Sequence, residues 1–133
     1  MSSVELRIAV DGWDVSNTGE DGVAIGGSLR GRMTVRAVKA VEAKGFEVVL
    51  RWVTDGPGNK DAAVISRQAY PPERMEEGRE LSLPFEFRIP DEGPITYAGK
   101  YVKVNWELMG TADVPWAIDP KTSLPVPVVA RME

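Results

Sequence analysis

Apolar and polar residues alternate with a period of two along one segment of this chain after another. Val4, Leu6, Ile8 and Val10 alternate with Glu5, Arg7 and Ala9. Leu29, Gly31, Met33, Val35 and Ala37 alternate with Arg30, Arg32, Thr34 and Arg36. The same holds for Phe46, Val48, Leu50 and Trp52, whose intervening residues are Glu47, Val49 and Arg51, with Val53 closing the run. It holds again for Leu81, Leu83, Phe85, Phe87 and Ile89, and for Val102, Val104, Trp106, Leu108 and Ala112. Successive side chains of a strand point to opposite faces, so each run predicts a strand with one buried and one wet face. That pattern belongs to antiparallel sheets packed on one side.

The intervening segments carry turn chemistry. Asp11-Gly12, Asp21-Gly22 and Asp55-Gly56-Pro57-Gly58-Asn59 tolerate positive φ or start turns, and Pro71-Pro72 and Pro90–Pro94 bar a helix. Glu73–Glu80 has no apolar stripe and contains Gly78, which predicts a loop. Leu124 to Ala130 reads as a terminal strand. Pro125 and Pro127 cannot donate to a ladder, which places this strand at a sheet edge. Two apolar faces covering each other make an all-β, antiparallel β-sandwich of two sheets. The 133 residues suit one domain spanning 1–133, large enough to bury a core without staples.

Composition bears on function by what it lacks. The chain has no Cys and no His. That removes thiolate nucleophiles, iron–sulfur and Cys-based zinc sites, the commonest general base and the usual serine-hydrolase triad. No catalytic residue, metal or cofactor is expected. The net charge is −4, from 16 Lys plus Arg against 20 Asp plus Glu, which disfavours a duplex nucleic-acid partner. The N-terminus carries charges inside its first residues and no apolar h-region, and no apolar run approaches the ~18 residues of a membrane span. The expected location is the cytoplasm.

From Leu83 the chain reads LPFEFRIPDEGPITYAGKYVKVNWELMGTADVPWAIDP. Phe85, Phe87 and Pro90 form a Phe-x-Phe-x-hydrophobic-Pro strand, followed by Pro94 in a loop and by Tyr97, Gly99 and Lys100 as an aromatic-x-Gly-Lys turn. The alternating strand Val102 to Ala112 then ends in Asp113-Val114-Pro115-Trp116, and Gly27 to Val35 supplies a Gly-x-hydrophobic-x-Gly strand earlier. This ordered set, over roughly residues 25 to 130, resembles arrestin-fold proteins and is similar to the longer bacterial sporulation-control proteins of that fold. The resemblance implies an immunoglobulin-like, arrestin-type β-sandwich and a non-catalytic role in protein–protein interaction. Eukaryotic arrestins carry two such sandwiches in tandem, and this chain has room for one. Ile95-Thr96 stands where the family often has Pro-Ser or Ser-Tyr, and no polar core or phosphate sensor is assignable residue by residue.

Candidate sites follow from residue type and placement. Arg30, Arg32 and Arg36 share one parity and lie on the outer face of one strand, suited to carboxylate or phosphate on a partner. The plainer account is cross-strand pairing with Glu47. The segment Asp11 to Gly22 is rich in oxygen ligands but lacks the spacing of an EF-hand loop, so exposed turns explain it better than calcium. Trp106 and Trp116 are expected as core fillers. The principal function expected is an interaction or scaffold domain for a protein partner that the sequence does not name, with self-association through an edge strand. The alternative is a carbohydrate-binding module using outward Trp13, Tyr70 and Tyr101, with Trp116 if it is exposed. A small carboxylate enzyme is the third reading.

Overall fold

The alternating runs are strands, and their expected inner residues form the core. A computed structural model describes residues 3–13, 23–24, 26–56, 59–90, 97–98, 103–115, 120–126 and 128–129. The strands in chain order are β1 (Val4–Trp13), β2 (Val23–Ala24), β3 (Ser28–Ala37), β4 (Val41–Ala43), β5 (Gly45–Gly56) and β6 (Asn59–Tyr70). They continue as β7 (Glu73–Met75), β8 (Glu80–Arg88), β9 (Tyr97–Ala98), β10 (Lys103–Asp113), β11 (Lys121–Val126) and β12 (Val128–Val129). One sheet is antiparallel β1-β3-β8. The other runs β11-β10-β5-β6, with β9 paired to the start of β10. Two short ladders complete the pairing, β4 with β7 and the parallel β12 with β2.

The two sheets bury one continuous apolar cluster. Ile8, Leu29, Met33, Val35, Phe85 and Phe87 of the smaller sheet join Phe46, Val48, Leu50, Trp106, Leu108 and Ala112 of the larger. Among the described residues Trp106 is the largest fully buried side chain, as its parity predicts. Trp52 is only half-buried against this cluster, and of Val104 the backbone alone is described. Two glycines set how closely chains approach. A Cβ at Gly31 would strike the Ala9 carbonyl and come within 2.8 Å of the Phe85 ring. A Cβ at Gly110 would strike Met33 Sδ from the opposite sheet and meet Ile8 Cδ1 at 3.2 Å. Both positions need a residue without a side chain, whatever their backbone angles.

The structure departs from the sequence reading in four places. Asn59–Tyr70 is a full strand although it shows no steady alternation. Its register with β5 slips between Leu50↔Ser66 and Arg51↔Val64, leaving Ile65 as the extra residue of a bulge. A bulge reverses parity, so Ala63 and Tyr70 both face inward while sharing no period of two. Glu73–Glu80 is not all loop: Glu73–Met75 pairs with β4, and Gly78 then turns the chain with φ 85°. The terminal strand is two pieces, β11 at the edge of the larger sheet beside β10, as its prolines require, and β12 beside β2. Val49, expected on the wet face, is 4% exposed. It stands in register between Met109 and Arg67, and the Arg67 side chain runs along the sheet to Glu47. Long arginine stems cover apolar surface in this way.

The alternating strand expected at Val102–Ala112 corresponds to β10 and has β5 on one side and β11 on the other. The edges are β1 and β8 in one sheet and β6 and β11 in the other. Among the described residues no helix is long and apolar enough to cross a membrane.

Candidate functional site

Strand β3 is the centre of the smaller sheet, and its outward residues are the arginines singled out by parity. Arg30, Arg32 and Arg36 are all exposed. The antiparallel register sets their neighbours. Arg30 lies between Gly12 and Glu86, Arg32 between Ala9 and Pro84, and Arg36 between Glu5 and Glu80. Arg7 and Arg88 share this outer face, opposite Thr34 and Ser28. Arg7, Arg30, Arg32, Arg36 and Arg88 thus outnumber Glu5, Glu80 and Glu86, and the face is positive on an acidic chain.

The pairing with Glu47 does not occur. Glu47 belongs to the other sheet, where it accepts from Arg67 at 3.5 Å. Arg36 Nη1 lies 3.7 Å from Glu5 Oε2, both side chains being well exposed. Such a pair contributes well under ~1 kcal/mol and is weakened by salt. The long side chains stand off the sheet and frame two depressions. One, of about 510 Å³, has Arg30, Arg32, Pro84 and Glu86 as walls, the Gly31–Phe85 pair as floor and Gln68 at its end. The other, of about 350 Å³, lies among Glu5, Arg7, Thr34, Arg36 and Glu80. Guanidinium groups in open troughs present planar, bidentate donors to carboxylate or phosphate oxygens.

A second feature, at the seam between the sheets, escaped the sequence reading. Edge strands β6 and β8 face each other across the open side of the sandwich. Tyr70 donates its hydroxyl to the Pro84 carbonyl at 2.6 Å, and Gln68 Nε2 donates to the same oxygen at 3.5 Å. Burial holds the Tyr70 pKa above its ordinary value of 10.0. Tyr70 is therefore no outward platform for a sugar: its ring packs on the core and its hydroxyl is engaged. The side chains of Trp13, Tyr101 and Trp116 and the segment 14–22 lie outside the described residues. The signal for the seam was Pro84 at an outward position of an alternating run, since proline within a sheet marks an edge.

The outer face of the larger sheet is of another kind. Arg51 donates from Nε to Glu107 Oε1 at 2.6 Å, and its Nη2 reaches the same oxygen, with both side chains mostly buried. Around this pair stand Val49, Val53, Val64 and Met109, of which Val64 is 45% exposed.

No protein-family model matches the chain, and no curated protein does. A solved structure does. The sporulation control protein Spo0M from Bacillus subtilis superposes with a TM-score of 0.78 over 98% of this chain, at 18% sequence identity. The fold is arrestin-like. The chain spans about half the length of that protein, 51% of it. In the arrestin-like sandwich the motif residues take structural positions. Phe85 and Phe87 pack in the core with ring centroids 5.6 Å apart, and Val114 is buried where β10 ends.

Proposed function

We propose that residues 1–133 form one interaction domain, a cytoplasmic, non-catalytic adaptor that binds a partner protein through the outer face of β1-β3-β8. The partner presents acidic or phosphorylated groups, and Arg30, Arg32 and Arg36 receive them. The observation that carries this reading is the exposure of these three arginines on one central strand, with Arg7 and Arg88 on the same face, in a chain of net charge −4. A local positive field on an acidic molecule steers anionic partners and repels cationic ones. A fold of this kind leaves function to its surface rather than to its core. Self-association through an edge strand remains the second element of the proposal, with β6 and β11 as the edges of the larger sheet.

The test starts from affinity capture with the parent chain and with the triple change Arg30→Gln, Arg32→Gln, Arg36→Gln, followed by calorimetry on the captured partner at low and high salt. The triple variant is expected to lose the acidic partner, and the parent's affinity to fall steeply as the Debye length shrinks from ~10 Å at 0.1 M to ~3 Å at 1 M. Equal affinity of a folded triple variant would discard the arginine face as the site.

A further inference from the structure

The two main sheets end on β1, β8, β6 and β11, and these edges are not alike. Strand β8 has Pro84, whose carbonyl already accepts from Tyr70 and Gln68. Strand β11 has Pro125, and β6 is broken by the bulge at Ile65. Prolines and bulges are the usual means of keeping an edge from pairing. From Val4 to Val10, β1 has neither, and its register with β3 runs without a shift.

The direction of its backbone groups follows from the end of the ladder. Ser3 O accepts from Val38 N–H at 2.8 Å, whereas Ala37 bonds Arg79 and Gly78 on the β8 side. Antiparallel ladders alternate, so Glu5, Arg7 and Ala9 bond β3, and Val4, Leu6 and Ile8 turn their N–H and C=O groups to the open edge. The side chains of these last three point inward. Val4 and Ile8 are buried there, but Leu6 between them is only half-buried.

We infer that a second copy of this chain pairs with this edge, β1 against β1, antiparallel and centred on Leu6. The charges select the occupant and the register. With Leu6 opposite the partner's Leu6, Glu5 stands opposite the partner's Arg7, and Arg7 opposite the partner's Glu5. These are non-hydrogen-bonded pairs, in which side chains lie closest. Slipping to the next register either way sets Arg7 against Arg7 or Glu5 against Glu5, which destabilises the pairing. The sign alternation also continues a row within the sheet, since Glu80, Arg36 and Glu5 are cross-strand neighbours. Leu6 exchanges backbone bonds with the partner's Leu6, and Val4 with the partner's Ile8. The two-fold axis is perpendicular to the sheet, so both arginine faces lie on the same side of one continued sheet. This gives the self-association proposed above a definite edge, and rests on that part of the reading and not on the arginine site.

Sedimentation of the intact chain, with charge swaps at exposed positions, tests this. A dimer is expected between about 50 and 500 µM, the range of a small interface. Glu5→Arg alone and Arg7→Glu alone should each raise its dissociation constant about tenfold or more, because each makes both cross-strand pairs like-charged. Mixing the two variants should restore association, as a heterodimer that pairs Arg with Glu at both positions. The double variant carrying both changes should dimerise like the parent. Thermal melts establish that the variants are folded; if a single variant is not, the double variant and the other single one decide. A chain that stays monomeric throughout overturns the inference and the proposed self-association together. A dimer indifferent to the folded single variant overturns the β1 edge while self-association stands. Single variants that weaken the dimer without rescue by mixing or by the double swap overturn the register.

Discussion

The two outer faces of the sandwich are built on the same inner pattern and carry opposite chemistry. Each sheet turns its apolar parity to the shared core. Outside, the smaller sheet holds exposed arginines in troughs, among them Arg36, which lies 3.7 Å from Glu5. The larger sheet holds the tight Arg51–Glu107 pair set in valine and methionine. The difference teaches that alternation sorts residues into inside and outside but does not sort the outside. An arginine in an alternating run is exposed in one sheet, as Arg32 is, and mostly buried beside a carboxylate in the other, as Arg51 is. What decides is the cross-strand neighbour: Pro84 and Ala9 beside Arg32, Glu107 beside Arg51.

The largest expected effect lies beneath both faces. Phe87→Ala removes a ring packed against Phe85 and opposite Leu29, and should cost about 3–5 kcal/mol through lost burial and a cavity. Denaturant unfolding followed by tryptophan fluorescence would read it. A midpoint equal to the parent's would mean that the two faces do not share one core. The faces themselves separate at the next scale. Glu107→Gln weakens a half-buried, charge-assisted pair and should lower stability by about 1–2 kcal/mol. Glu5→Gln on the arginine face should change it by less than ~0.5 kcal/mol. Similar losses in the two melts would erase the contrast between a structural pair and a solvated one.

The seam between the sheets sharpens the comparison further. Tyr70→Phe removes the hydroxyl that ties β6 to the Pro84 carbonyl of β8 and should cost about 1 kcal/mol. Its pH dependence has a definite sign. Above pH 10 the unfolded chain gives up the Tyr70 proton while the native state, with its raised pKa, keeps it. The unfolded state then binds fewer protons, so stability present below pH 10 is lost as pH rises through the native value. The parent should show this alkaline fall and Tyr70→Phe a shallower one, measured by urea unfolding between pH 8 and pH 11, roughly one unit or more on either side of the ordinary tyrosine value. Parallel pH profiles would remove Tyr70 from the seam.

Most of the sandwich was legible in the chain because a strand with one wet face writes its geometry into adjacent residues. The parity of Leu29 to Ala37 places Arg30, Arg32 and Arg36 outward, and the structure exposes all three. The prolines around Leu124 mark an edge, and β11 is one. Strand β6 was not legible, because the bulge at Ile65 breaks the period that announces a strand. Nor was the burial of Val49, whose register neighbours Met109 and Arg67 come from two other strands.

The sequence by itself determined which side of each regular strand is dry, that two sheets must cover each other, and that chemistry resting on histidine or cysteine is absent. Those properties are local or compositional, and a period of two needs no knowledge of neighbours. Only the tertiary structure decided which strands lie side by side, and so which carboxylate stands opposite which arginine. Register is a long-range property: Arg51 meets Glu107 across 56 residues of chain, and Glu47 meets Arg67 rather than the arginines of β3. The same long-range pairing brings Tyr70 to a carbonyl of the opposite sheet, and it sets which charges stand side by side on each outer face.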